Sequence, residues 1–228
     1  MPDAVHMTAD LPRRLFAELI GSCLLAATVI GSGILAVQLS AGNDGVALLG
    51  NTLATAAILY VLVSTLGSVS GAHFNPAVSL VMTLRGDLRA GDAALYIPLQ
   101  IAGCVLGAIL AHAMFGLPLI QEATADRSGT GRLIGEAAAT FALVFAILGG
   151  IRHRPNDIPV IVALVITAGY WWTSSTSFAN PAITVARALS DTFAGIRPAD
   201  APGFIVAQLG GALLAWLAAG WLFGKKTP

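Results

Sequence analysis

The sequence predicts an all-α membrane protein in which six transmembrane helices and two re-entrant half-helices form an inverted repeat of three plus three spans. Three observations predict this fold class. Of the 228 residues, 56% are hydrophobic and 11% are charged, whereas a soluble domain carries about 25% charged residues. Apolar stretches of about 20 residues, which can cross the hydrocarbon core as helices, recur along the chain. Each half also contains one Asn-Pro-Ala tripeptide at the start of a shorter apolar stretch.

Six long apolar segments are the predicted spans, because a helix satisfies its own backbone hydrogen bonds inside the bilayer. An even number of spans places both termini on the same side of the membrane. The predicted spans run from about Leu15 to Leu39, Val46 to Leu66, Ala93 to Phe115, Leu133 to Ile151, Ile158 to Trp172 and Phe204 to Phe223.

The distribution of basic residues predicts which side holds the termini. Cytoplasmic loops of membrane proteins carry an excess of Lys and Arg. The side opposite the termini holds Arg127, Arg132 and Arg197. The side of the termini holds Arg13, Arg14, Arg85, Arg89, Arg152, Arg154, Lys225 and Lys226. We therefore expect both termini in the cytoplasm.

Two further apolar pieces, Asn75 to Leu84 and Asn180 to Leu189, are too short to cross a bilayer and are bounded by Gly- or Ser-rich sequence. They are predicted to be re-entrant half-helices. Irregular backbone at membrane depth is tolerated only where protein or a water-filled cavity satisfies its polar groups. The two segments therefore indicate a pathway through the protein.

The two halves of the chain resemble each other. Arg14-Leu-Phe-Ala-Glu18 corresponds to Arg132-Leu-Ile-Gly-Glu136. The two tripeptides correspond, and so do Gln100 and Gln208. Matches in the same order indicate duplication, and three spans per half make the copies enter the membrane from opposite faces. We expect the tripeptides to meet at the midplane of a single domain, residues 1–228, with repeat 1 at about 11–115 and repeat 2 at about 130–224.

Each Asn-Pro-Ala tripeptide suits a helix start, because Asn is a favoured N-cap and Pro fits the first helical position. Two such starts at the midplane aim two positive dipole ends and the amide donors of Asn75 and Asn180 at one point. Cations are repelled there and the hydrogen-bonded wire of water is interrupted, so neutral solutes pass more readily than ions. The pore-motif residues are Asn75, Pro76, Ala77, Asn180, Pro181 and Ala182.

The segment Ser70-Gly-Ala-His-Phe-Asn-Pro-Ala-Val78 and the second tripeptide, in a duplicated six-span chain, resemble the aquaporin and glycerol-channel family. The resemblance covers the chain from Leu15 to Phe223. It implies an aquaporin-like fold, a homotetramer with one pore per subunit and, for a bacterial member, a place in the inner membrane.

The resemblance also implies roles for residues around the first tripeptide. His73, together with Gly71 and Ala72, would shape the loop that enters the first half-helix. Glu18 and Glu136 would lie in the membrane and bond that loop backbone. The alternatives are a packed loop histidine and, for each glutamate, an interfacial ion pair with the arginine four residues before it.

The sequence departs from the family pattern at the constriction. Family members usually place Arg directly after the second tripeptide, where this chain has Ile183. By the same spacing, the resemblance puts the other constriction positions at Thr55, Ala168 and Ser177, where water-selective members have a bulky aromatic at the first and His at the second. We expect a wider and less polar constriction than a water filter. Bacterial members that lack this Arg resemble the chain, and some are associated with arsenic resistance.

Arg187 lies one turn beyond Ile183 on the same face of the half-helix. It is predicted either to put a positive charge at the outer mouth and attract anions, or to snorkel outward or pair with Asp191. Tyr170 and the two tryptophans after it are predicted to form an interfacial belt, with a substrate-stacking role as the alternative.

The predicted function is passive conduction of small uncharged solutes, namely glycerol-like polyols and neutral metalloid acids such as protonated arsenite, together with water. The alternatives are a narrower water-selective channel, a coupled secondary transporter and a non-conducting scaffold of the same fold. Coupling would require a titratable group such as Glu18 or Glu136.

Other functions find no support in the sequence. No GxSxG or HExxH motif and no paired intramembrane aspartates indicate an enzyme. A net charge of zero without a basic run gives no footprint for nucleic acid. Cys23 and Cys104 lie in apolar stretches without metal-ligand or disulfide spacing. No metal or cofactor is expected, and the predicted partners are the bilayer, small uncharged solutes and water.

Overall fold

The computed structural model describes residues 9–224, and Lys225 and Lys226, which entered the predicted charge asymmetry, lie outside that range. Within it the chain forms α-helices and one short 3-10 turn, without a β-strand. The helices are α1 Leu11–Leu39, α2 Asp44–Ser70, α3 Pro76–Arg85, α4 Ala90–Met114, α5 Thr130–His153, α6 Ile158–Trp172, α7 Pro181–Ala188 and α8 Ala201–Phe223. Each predicted span and half-helix corresponds to one of them, which confirms the predicted fold class.

Capping residues explain where the first two helices begin and end. α1 starts after Asp10, whose carboxylate accepts the Arg13 N–H at 3.3 Å. α2 starts after Asn43, whose side chain accepts the Val46 N–H at 3.1 Å. α2 ends at Gly71, where φ is +89°. This left-handed conformation suits glycine and turns the chain back into the protein toward α3.

Five helices, α1, α2, α4, α5 and α8, have the length and hydropathy of membrane spans. α6 is shorter, with 15 residues, and extends about 22 Å at about 1.5 Å per residue. A 3-10 turn at Pro155–Asp157 precedes it. The segment after it, residues 173–180, is largely buried and leads directly into α7. The fifth predicted span, α6, therefore leads into the second re-entrant loop inside the protein.

The duplication is visible in how the long helices cross. α4 packs against α1, and a Cβ placed on Gly103 would lie 2.3 Å from the carbonyl oxygen of Leu19. α8 packs against α5 in the same way, and a Cβ on Gly211 would lie 2.1 Å from the carbonyl oxygen of Ala137. Glycine at both positions lets the two backbones touch, as small residues do between membrane helices.

The outer surface of the helix bundle is apolar, as a lipid-facing surface must be. Large apolar side chains on different helices are exposed there, among them Phe16, Leu53, Leu164 and Trp221. The fold is that of an integral membrane protein. The face that carries residues 9–11 and Gly224 is named the terminal face below, and the opposite face, which carries residues 115–129 and 190–200, is named the loop face.

Candidate functional site

The two Asn-Pro-Ala tripeptides meet in the centre of the protein, each at the N-terminus of a half-helix. The side-chain oxygen of Asn75 accepts the Ala77 N–H at 2.9 Å, and that of Asn180 accepts the Ala182 N–H at 2.9 Å. The proline of each tripeptide occupies the start of its helix, where no N–H is needed. Both half-helices therefore begin as the residue types predict.

The same asparagines tie the two re-entrant loops together. Asn75 Nδ2 donates to the carbonyl oxygen of Ala179 at 2.8 Å, and Asn180 Nδ2 donates to that of Phe74 at 2.8 Å. An amide nitrogen carries two N–H groups, and both asparagines line the central cavity. One N–H of each amide thus fixes the junction, and one remains to face a solute.

Both loops contain residues in the left-handed backbone region. Ala72 and Phe74 have φ of +50° and +47°, and Ser177 and Ala179 have φ of +52° and +48°. Such a conformation costs a residue other than glycine about 1–3 kcal/mol. The loops persist only because surrounding groups hold them.

Glu18 holds the first loop. Its carboxylate accepts the backbone N–H groups of His73 at 3.0 Å and Phe74 at 2.7 Å. It also accepts the Ser70 hydroxyl at 2.6 Å and the Gln100 amide at 2.8 Å. The carboxylate is completely buried, and its four hydrogen bonds compensate for the lost hydration.

Glu136 holds the second loop in the same manner. It accepts the N–H groups of Phe178 and Ala179, both at 2.9 Å, and the Gln208 amide at 2.6 Å. The glutamates therefore bond the loop backbones, as the resemblance implies. The alternative ion pairs with the preceding arginines do not form among residues 9–224, because Arg14 contacts Asp92 at 3.0 Å and Arg132 contacts Asp126 at 3.6 Å.

His73 is both a packed loop residue and part of the cavity wall. Its Nδ1 lies 3.0 Å from the Ser79 hydroxyl, and its ring meets the Tyr96 ring edge-on with centroids 5.8 Å apart. A Cβ on Gly71 would lie 2.9 Å from His73 Nε2. Glycine at position 71 therefore allows the positive φ and leaves room for the imidazole of His73.

A cavity of ≈ 890 Å³ runs through the protein past both asparagines. At the terminal face it is lined by Arg85, Asp87 and Arg152, and toward the loop face it reaches Arg187. Its wall is mainly apolar and includes Leu25, Val29, Leu59, Val63, Leu143 and Ile147. The charged side chains thus lie at the two ends of the conduit.

Thr55, Tyr170, Ser177 and Ile183 line the cavity on the loop-face side of the tripeptides. Thr55 Oγ1 lies 3.2 Å from Tyr170 Oη. The Ser177 hydroxyl is buried and has no hydrogen-bond partner within residues 9–224. Three residues that carry hydroxyls and one with a branched alkyl side chain therefore form this part of the wall.

The prediction for Ala168 is wrong. Ala168 is exposed on the outer surface and is not part of the cavity wall, which α6 forms with Val162, Ile166 and Tyr170. Residues four apart share a helix face, whereas Ala168 falls on the opposite one. The four-residue period of bulky side chains in α6 could have identified Tyr170, which therefore lines the pathway instead of belonging to an interfacial belt.

Arg187 does not snorkel outward and does not pair with Asp191. It is 3% exposed, its Cζ lies 3.3 Å from the centroid of the Phe178 ring, and its Nε donates to the carbonyl oxygen of Ala194. Asp191 instead accepts the N–H and hydroxyl of Thr124 at 2.9 and 2.8 Å. These hydrogen bonds hold the pKa of Asp191 below its usual range.

A conduit with a neutral middle section, enclosed by a lipid-compatible helix bundle, defines an integral membrane channel. No cluster of three metal-ligating side chains occurs among the described residues. The Major intrinsic protein family model matches residues 6–170, and the chain belongs to that family. Family members are channels, so the chain is a channel protein and not an enzyme.

Individual relatives support the same assignment along nearly the whole chain. The chain is 51% identical to "Aquaglyceroporin AqpS" of Rhizobium meliloti (strain 1021), over 96% of this chain and 94% of the relative. It is 29% identical to "Probable aquaporin AqpM" of Archaeoglobus fulgidus, over 95% and 98% of the two chains. The X-ray structure of the aquaglyceroporin from Plasmodium falciparum has the same fold, with a TM-score of 0.70 at 19% identity over 94% of this chain and 98% of that one.

Proposed function

We propose that this chain conducts small uncharged solutes passively, in particular glycerol-like polyols and neutral metalloid acids, and that water passes with them. The observation that carries the proposal is the wall formed by Thr55, Tyr170, Ser177 and Ile183. Thr55 and Tyr170 offer hydroxyls, and Ile183 offers an alkyl group.

Such a wall suits a solute with both hydroxyls and hydrocarbon. The hydroxyls of the wall can replace the hydrogen bonds that a polyol makes to water before it enters. Ile183 can contact the carbon chain of the polyol without a desolvation cost. The relative from Rhizobium meliloti, which bears the name aquaglyceroporin, supports this choice of cargo.

The proposal includes the remaining parts of the machinery. Residues 1–228 act as one channel domain made of the two repeats. The asparagines of both tripeptides line the pore centre, and the prolines and alanines begin the half-helices that hold them there. The chain assembles as a homotetramer with one pore per subunit in a bacterial inner membrane. Both termini face the cytoplasm, since the terminal face carries most of the arginines, namely Arg13, Arg14, Arg85, Arg89, Arg152 and Arg154.

Solute flux into sealed vesicles containing the purified chain tests the proposal. Vesicle shrinkage by light scattering is compared for water, glycerol, urea and arsenite at neutral pH. We expect all four to cross by their own gradients. Ile183→Arg should leave water flux unchanged and lower the flux of the three larger solutes by about tenfold, equal to about 1.4 kcal/mol of added barrier. Ile183→Val, which keeps an alkyl group, is the matched control and should behave as the original chain.

The other candidate functions give different results in the same vesicles. A water-selective channel passes water alone, and a scaffold passes nothing. A coupled transporter moves glycerol faster when a proton or sodium gradient is imposed. Loss of all four fluxes in Ile183→Arg, or of none, would contradict the place of Ile183 at the constriction.

A further inference from the structure

We infer that Arg187, supported on the Phe178 ring, supplies the positive charge that excludes cations from the loop-face end of the pathway. Position 183, where the family pattern has the arginine, holds an uncharged isoleucine. The inference rests on the proposed function, because it concerns the selectivity of the same conduit.

The geometry of α7 brings the Arg187 guanidinium back toward the constriction. Arg187 lies four residues beyond Ile183, which is about 6 Å along the helix axis. Side chains on a helix lean toward its N-terminus, and the guanidinium of Arg187 reaches Phe178, two residues before the second tripeptide. Phe178, Ile183 and Arg187 all line the cavity. The long side chain of Arg187, one turn further on, therefore reaches the part of the cavity wall where an arginine at position 183 would lie.

Phe178 is a fixed support for this cation. Its backbone N–H is held by Glu136, and its ring packs edge-on against Phe204 with centroids 5.1 Å apart. A cation against an aromatic face is attracted by the ring quadrupole. The carbonyl oxygen of Ala194 fixes the guanidinium from the other side through Nε. The position of the charge is therefore set by two groups.

The charge of Arg187 is not neutralised by the protein. Among residues 9–224 no carboxylate lies within ion-pair distance of it, and Nη1 and Nη2 have no hydrogen-bond acceptor. These nitrogens are available to a solute oxygen in the cavity. The guanidinium of Arg127 lies 4.9 Å from the same ring. Burial lowers the pKa of Arg127 to about 10, which leaves it protonated at neutral pH and adds to the local positive potential.

The first repeat has an uncharged residue at the position that corresponds to Arg187. Alignment of the tripeptides pairs Met82 with Arg187, and Met82 also lines the cavity. At this aligned position only the second repeat therefore carries a charge. Arg187→Met puts the residue of the first repeat into the second and keeps an unbranched side chain.

Uptake of urea and guanidinium into sealed vesicles tests the inference, because the two solutes are nearly the same size and differ in charge. Labelled guanidinium and labelled urea are followed with potassium and valinomycin present to compensate charge. We expect the original chain to pass urea and exclude guanidinium. Arg187→Met should raise guanidinium uptake by roughly two orders of magnitude, as removal of a unit charge about 5 Å away predicts at an effective dielectric constant of about 20, with urea uptake retained.

Two further variants complete the test. Arg132→Gln removes a half-buried arginine from the same side of the protein that does not line the cavity, and it should leave both uptakes unchanged. Phe178→Leu keeps the arginine and removes its support, so guanidinium uptake should rise here also. If Arg187→Met fails to fold, this variant decides the inference.

The outcomes separate the inference from the function on which it rests. Urea passage with continued exclusion of guanidinium in Arg187→Met, or in Phe178→Leu where the first is not obtained, would overturn the role of Arg187. An original chain that passes no uncharged solute would overturn the proposed function, and the inference with it.

Discussion

Glu18 holds the first re-entrant loop and Glu136 holds the second. Before its tripeptide the first loop has two non-glycine residues at positive φ, and the second loop has three. The residues that face the solute differ. His73 of the first loop aligns with Phe178 of the second, and a methionine in the first repeat aligns with Arg187. The two repeats therefore share the groups that hold the backbone and differ where the wall meets the solute.

A second difference concerns the carbonyl oxygen at the start of each loop. The Tyr96 hydroxyl donates to Ser70 O at 3.0 Å in the first repeat. Phe204 aligns with Tyr96 and has no hydroxyl, and Arg127 Nη1 reaches Ser175 O at 3.4 Å instead. A buried carbonyl oxygen needs a hydrogen-bond donor. Both repeats provide one, a tyrosine hydroxyl in the first and an arginine in the second. Similarity between the repeats thus reflects the needs of the backbone more than the identity of the side chains.

Removal of the glutamates should have the largest effect and tests whether the two loops are equally held. Glu136→Ala leaves two loop N–H groups without acceptors, at about 1–3 kcal/mol each. Glu18→Ala also releases the Ser70 hydroxyl, so its melting temperature in detergent should be the lower of the two. Glu122→Ala, at an exposed position, is the control and should melt as the original chain. A lower melting temperature for Glu136→Ala than for Glu18→Ala would break this comparison.

Alanine at the crossing glycines should have a smaller effect, and a similar one in both repeats. A Cβ on Gly103 or Gly211 overlaps a backbone carbonyl, which forces the helices apart. We expect Gly103→Ala and Gly211→Ala each to reduce the free energy of unfolding by about 1–3 kcal/mol, as overpacked cores do. A lower melting temperature in detergent would report this loss of stability.

The residue before Gly211 provides the control for this pair. A Cβ on Gly210 meets nothing within 4 Å, so Gly210→Ala should be neutral or slightly stabilising because alanine is the better helix former. Destabilisation of one repeat alone would show that the two crossings are not equivalent.

The spans, the half-helices and the meeting of the tripeptides could be predicted from the sequence, because hydropathy and helix capping are local signals. The partners of the Asn75 and Asn180 amides could not, since the carbonyls of Phe74 and Ala179 become acceptors only after both loops fold. The support of Arg187 by Phe178 also depends on the folded loop.

The error at Ala168 has a specific physical cause. A fixed distance in sequence from the second tripeptide does not determine the rotation of α6 about its axis. Packing determines it, because a Cβ on Gly169 would lie 2.5 Å from Ser177 Oγ. Gly169 must therefore face the re-entrant loop, and Tyr170 beside it then enters the cavity wall while Ala168 faces outward.

The smallest expected effect tests whether Tyr170 or Ala168 belongs to the constriction. Tyr170→Phe removes the hydroxyl that lies 3.2 Å from Thr55 and leaves the ring in place. Loss of one neutral hydrogen-bonding group of about 0.5–1 kcal/mol should lower glycerol flux by about twofold to fivefold and leave water flux nearly unchanged. Ala168→Ser adds a hydroxyl on the outer surface of α6 and should change neither flux. A fall in glycerol flux in Ala168→Ser but not in Tyr170→Phe would return the constriction to position 168.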